Sequence, residues 1–226
     1  MAYRTFENFM IEKLESADMS MEDLRDRAHC IQRILTSSWG RLVPDVLSAE
    51  VVEAKIGYKN RSRREALAAR LADPSNPSSY FIGYSQPEAV KLPPSIFNAT
   101  SVVQVEPSHG LPMAQWLKLP LPRPHPVITD CDSVEGLYPE QNAAALAWGL
   151  EDYPEHTKAV AYIAQVDVRK QDWMNRRTFD TRRLNSMHTE VAGATIAYTQ
   201  LRAETVGGVI ESLERAYPEI RQFQSS

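Results

Sequence analysis

A mainly α fold, with a helical N-terminal layer and long C-terminal helices flanking a proline-rich, β-containing insertion, follows from three features of the sequence. Apolar residues recur at helical spacing before residue 73, eleven of the fifteen prolines lie between Pro74 and Pro126, and from Lys158 to Ala216 there is no proline at all. The chain accordingly divides into a helical region, 1–73, an extended or β-containing insertion or arm, 74–138, and a second helical region, 139–226.

In the first region Ser20 and Asp23 form an N-cap with an acidic third position, and Leu24, Ala28, Ile31 and Leu35 then fall on one helical face. Gly40 is placed to end that helix in a left-handed conformation. Ser48 caps and Gly57 stops a second, short helix, and Ser62 with Glu65 makes a capping box for a third, "RREALAARLA". Prolines exclude long helices from 74–126. There "SYFIGY" and "TSVVQVE" have the aromatic and β-branched content of strands, while "LPLPRPHP" favours polyproline-like or edge-strand backbone. Next, "PEQNAAALAWGL" reads as a helix with proline in its first turn, and Pro154 starts another. Beyond it a three-four alternation is polar at Lys170, Arg177 and Asp180 and apolar at Leu184, Met187, Val191, Ala194, Tyr198 and Leu201. Two helices joined by a polar elbow, or one very long helix with an exposed middle, both satisfy that spacing, and the ordinary length of a globular helix favours two, the apolar seam being covered by the core or by neighbouring subunits.

Composition narrows the function classes. The 25 basic and 29 acidic residues leave a net charge of −4, so no global basic field marks a nucleic-acid binder. The two cysteines, Cys30 and Cys131, are far apart and outside any C-x-x-C pattern, which predicts neither a disulfide framework nor a cysteine zinc site. The N-terminus lacks the pattern of a secretory leader, and no run of about 18 apolar residues follows, which predicts a soluble chain without membrane contact.

Four stretches bear on chemistry. "VITDCDSVEG" ends an apolar run in Asp130-x-Asp132 and over those residues resembles the nucleophile strand of haloacid-dehalogenase-type phosphatases, which would imply a magnesium site. It lies past the middle of the chain with no β-α alternation after it, so a polar turn following a short strand is the expectation. The histidines form no H-x-x-x-H or H-E-x-x-H pair, and His188 with Glu190, two apart on a helix, would point in different directions. P-loop, G-x-S-x-G and G-x-G-x-x-G patterns are absent as well, so the expectation is no catalytic residue, no metal and no cofactor. In "VRKQDWMNRRTFDTRRLN", Arg169, Lys170, Arg176, Arg177, Arg182 and Arg183 outnumber Asp172 and Asp180 and are interleaved with Trp173 and Phe179. Guanidinium groups pair with carboxylate or phosphate and stack on rings, which makes this segment the candidate partner-binding surface. A second basic stretch, with Lys59, Arg61, Arg63, Arg64 and Arg70, reads as a solvated face.

Helical ends, a proline-rich arm and basic elbows describe a part of an assembly. In "EDLRDRAHCIQRILTSSWGRLVPDVL", in the arm from Pro74 to Pro126 and in "TEVAGATIAYTQLRAETVGGVIESLERAY", the chain looks like the head-to-tail connector (adaptor) proteins of tailed bacteriophages. The resemblance implies a non-enzymatic subunit of a homo-oligomeric ring in the virion. Such a ring joins portal and tail proteins around the DNA channel, with possible non-specific DNA contact and no small-molecule substrate. The alternatives are a nucleic-acid-binding regulator using the 168–185 segment and a metal-dependent phosphatase or nuclease using Asp130 and Asp132.

Overall fold

The structure, a computed structural model, describes residues 2–15, 17, 19–41, 47–57, 60–86, 93–107, 125–134, 137–164, 179–222 and 224–225, with the backbone alone for 162–164, 179–189, 191, 197–203 and 224–225. Its elements are β1 (Ala2–Thr5), β2 (Phe9–Lys13), α1 (Met21–Gly40), α2 (Ala49–Ile56), α3 (Arg61–Ala72), β3 (Ser79–Ser85), β4 (Ala99–Pro107), β5 (Pro126–Ser133), α4 (Pro139–Leu150), β6 (Lys158–Ala164), β7 (Phe179–Val191), β8 (Ala194–Thr205), α5 (Val206–Ala216) and β9 (Gln224–Ser225). The fold is therefore α/β rather than mainly α. One nine-stranded sheet, in the order β7-β8-β6-β5-β4-β3-β2-β1-β9, takes strands from all three of the regions read in the sequence. Every described pairing is antiparallel except β5 with β6, which α4 connects.

Alternation along the central strands explains the layers. Tyr80, Ile82 and Tyr84 of β3 and Val102 of β4 pack with Leu24, Ala28, Ile31 and Ile34 of α1 and Ala68 and Leu71 of α3. Phe81, Val103, Val105 and Ile128 face the other way, onto α4 and onto Val206, Val209 and Leu213 of α5. Strands covered on both faces are apolar at nearly every position, which is how "SYFIGY" and "TSVVQVE" read. Within the first layer Glu12 is fully buried and accepts from Arg27 Nε (2.8 Å) and Nη2 (3.0 Å), from Tyr84 Oη (2.6 Å) and from Tyr3 Oη (3.1 Å). Burial penalises the Arg27 charge, and its hydrogen bonds to Glu12 with the neighbouring negative groups more than offset this, so the guanidinium titrates above its ordinary value.

Several local expectations hold. Ser20 and Asp23 form the capping box of α1. Ser48 caps α2, and Gly57 ends it at φ +67. Pro139 opens α4. Others change: Gly40 stays helical and Arg41 caps α1, Asn60 rather than Ser62 caps α3, and Pro154 closes a turn to Thr157 instead of starting a helix.

The largest correction concerns the C-terminal region. In place of two helices and an apolar seam, β6, β7 and β8 precede α5. Val191 pairs with Ala194 across a two-residue loop in which Ala192 and Gly193 have φ of 49° and 78°. Two successive positive φ values make the primed turn whose twist suits a hairpin, and the β-branched and aromatic residues around it favour strands. Leu184, Met187 and Val191 therefore lie on β7 and Ala194, Tyr198 and Leu201 on β8, where a three-four spacing does not define one face.

Candidate functional site

Among the described residues the sheet comes apart between β5 and β6. β5 and β6 pair only at Val127 with Val160 and Ile128 with Ala161, although β5 stays paired to β4 as far as Ser133 and β6 to β8 as far as Ala164. The cause lies in β5. Val105 of β4 pairs with Ile128, but the preceding residue, Gln104, pairs with Asp130, so Thr129 is one residue too many. Such a bulge bends its strand and strengthens the local twist. It coincides with the end of the β5–β6 ladder, and the two carboxyl ends part in a wedge. Crevices at the carboxyl ends of parallel strands are where open α/β sheets bind ligands.

The wedge has two distinguishable sides. On one, β5 leads into α4, whose cap residue Tyr138 makes no side-chain cap and whose first residue, Pro139, has no N–H. Burial raises the Glu140 carboxyl above its usual range, and Glu219 adds to the effect against an opposing bond to its own amide. In these two elements, Thr129 Oγ1 at the bulge and Asn142 Oδ1 in α4 are buried without hydrogen-bond partners among the described residues. Also in the first turn of α4, Gln141 Oε1 accepts from Thr100 (2.7 Å) and Ser101 (3.1 Å). A Cβ on Gly83 would collide with Ser101 and Gln141, which is why that strand position has no side chain.

The other side is walled by the end of α1, by α2 and by the tip of the β7–β8 hairpin. Ser38 Oγ donates to the buried Asp132 at 2.5 Å, and Arg41 donates to Ser38 at 3.2 Å. Val51 and Val52 of α2 pack with Leu47 and with Ile196 near the hairpin tip, joined by Trp39, Ile56 and Ala194. Lys55 follows Val51 by four residues and Val52 by three, so it shares their inward face. Burial lowers the Lys55 amine, which also feels the Asp130 carboxylate and the Arg63 guanidinium.

Asp130 and Asp132 thus lie on a paired strand at the mouth of the wedge, not in a polar turn. Their environment also differs from the phosphatase reading: a doubly wound parallel sheet would be needed, and here one described pairing is parallel. Arg169, Lys170, Trp173, Arg176 and Arg177 lie outside the described residues, while Phe179, Arg182 and Arg183 fall on β7. Met187 is opposite Tyr198 in the hairpin. Thr129, Ser38 and Lys55 were missed. Only Lys55 left a trace in the sequence, as a cation on the apolar stripe of "AEVVEAKI".

No protein-family model matches the chain, and no curated protein matches it. Solved structures do. An uncharacterized protein from Bacillus halodurans is 12% identical, with 97% of this chain and 96% of that one covered and a TM-score of 0.54. A GCN5-related N-acetyltransferase from Rhodopseudomonas palustris is 13% identical, with 88% and 98% covered and a TM-score of 0.51. An Arabidopsis thaliana protein in complex with a bisubstrate analogue is 7% identical, with 87% and 98% covered and a TM-score of 0.50. The fold is that of the GCN5-related N-acetyltransferases. This likeness overturns the connector reading: the non-enzymatic ring subunit joining portal and tail proteins, with no small-molecule substrate, gives way to a fold that these acetyltransferases share.

Proposed function

We propose that this chain is an acyltransferase that moves an acyl group from a coenzyme A thioester to an amine. The observation that carries the reading is the parting of β5 and β6 at the Thr129 bulge, on a fold shared with N-acetyltransferases. An acyl thioester supplies an activated carbonyl, and the residues of the wedge suit its carrier. The β5 edge facing the wedge is a strand edge to which an extended, amide-bearing arm can add, as peptides add to sheets. The uncapped start of α4 attracts the phosphates, partly opposed by Glu140.

The chain's catalytic share is positional. Holding the thioester carbonyl at the bulge and the amine against the Asp130 and Asp132 side converts a two-body encounter into an intramolecular one. The amine must shed a proton to attack, and the half-buried Asp130 at that mouth holds it on the way out. Release of free thiol from acetyl-coenzyme A, followed in the presence of a panel of polyamines, aminoacyl peptides and lysine peptides, tests the reading. Amine-dependent thiol release supports it. No release with any amine, together with no calorimetric binding of coenzyme A, overturns it.

A further inference from the structure

We propose that Gln141 is a positioning residue for coenzyme A: its side chain, anchored inside the sheet, fixes the first turn of α4 so that the backbone amide there meets the diphosphate. The inference rests on the acyltransferase reading and goes beyond it by naming the residue that holds the phosphate-facing end of α4 in place. That end has few donors to offer. Pro139 has no N–H, and the Asn142 N–H donates to the Tyr138 carbonyl at 3.3 Å, which among the described residues leaves the amides of Glu140 and Gln141. The Glu140 amide also bonds its own carboxylate, so the Gln141 amide is the donor best placed for an incoming anion. A side-chain cap, the usual means of fixing a helix start, is not made by Tyr138.

The start of α4 is tied down from within instead. Gln141 is 1% exposed; its Oε1 accepts from Thr100 Oγ1 (2.7 Å) and Ser101 Oγ (3.1 Å), and its Nε2 donates to Ser85 Oγ at 3.5 Å. Thr100 and Ser101 are consecutive, and consecutive side chains of a regular strand point to opposite faces. Here Gly83 of β3 pairs with Ser101 and Tyr84 with Ala99, so Thr100 is an extra residue in β4, and this bulge brings both hydroxyls to one oxygen. Gly83 leaves the room: a Cβ there would overlap both Ser101 Oγ and Gln141 Oε1. A glycine, a bulge and a glutamine from three elements thus converge on one residue of the first helical turn. An amide binds an oxyanion well only when aligned with it, and a donor fixed beforehand loses no freedom on binding.

Two variants of the full chain test this. Gln141→Met keeps the length and helix propensity of the side chain and removes its hydrogen bonds, while Thr100→Val with Ser101→Ala removes the two donors and leaves Gln141 in place. Calorimetric binding of coenzyme A is measured for each, together with steady-state kinetics using the best amine of the panel. The expected result is a Kd for coenzyme A and a KM for acetyl-coenzyme A each raised about tenfold in both variants, with kcat and the KM for the amine within about twofold of wild type. A lowered Tm alone does not decide, because losing buried hydrogen bonds costs stability under either role. An unchanged Kd in a folded variant overturns the inference, leaving Gln141 as a structural tie. A fall in kcat with a rise in both KM values also overturns it, as a general distortion of the site. Both results leave the acyltransferase reading standing. A wild-type chain that neither binds coenzyme A nor releases thiol overturns both.

Discussion

Two side chains carry charges whose surroundings make opposite demands. Glu12 is fully buried and holds Arg27, Tyr84 and Tyr3 together where α1 meets β1, β2 and β3. Removing one member of a buried pair leaves the other uncompensated, so Glu12→Gln should cost about 3–5 kcal/mol, read as a lowered midpoint in urea unfolding. A loss well under that range would mean that Arg27 finds water or another acceptor. Glu140, by contrast, lies at the start of α4, where its charge competes with an incoming phosphate. Glu140→Gln should tighten coenzyme A binding by up to about 1 kcal/mol, the scale of a charge at a helix terminus. The sign of the pH effect follows: a carboxyl raised by burial takes up its proton earlier as pH falls, so affinity should rise as pH drops through that raised value and the substitution should abolish the rise. Calorimetry at several pH values measures both effects.

At the scale of elements, the β7–β8 hairpin turns on Ala192 and Gly193, and alanine at φ 49° is strained. Ala192→Asn creates the Asn-Gly pair that primed turns prefer and should stabilise the chain by up to about 1 kcal/mol, seen as a raised Tm. An unchanged or lowered Tm would contradict the turn assignment. This hairpin also shows why the sequence misled. Its apolar residues happen to repeat at three-four spacing over Leu184 to Leu201, while the decisive residue is a single Gly193 inside that run. Elements with local signals were legible: the Ser20 box, the Ser48 cap with Gly57, Pro139 and the β-branched strands. The site was not, because the Thr129 bulge is defined by register against β4, a relation between distant residues that no local pattern records. Asp130 and Asp132 stand out in the sequence, but a strand mouth and a turn look alike when the partner strands are unknown.

Among the described residues the molecule is one sheet opened between β5 and β6, with α1 and α3 on one face and α4 and α5 on the other. On the proposed function a coenzyme A thioester occupies the wedge between β5 and β6. Ligation at this seam should supply the hydrogen bonds that the parted strands do not give each other and slow their amide exchange. Hydrogen–deuterium exchange with and without coenzyme A is the most direct measurement. The expected result is protection concentrated in 127–134 and 137–142, with a lesser effect in 160–164 and little change in β1, β2 and α3. Protection confined to elements away from that seam, or none at saturating coenzyme A, would contradict it.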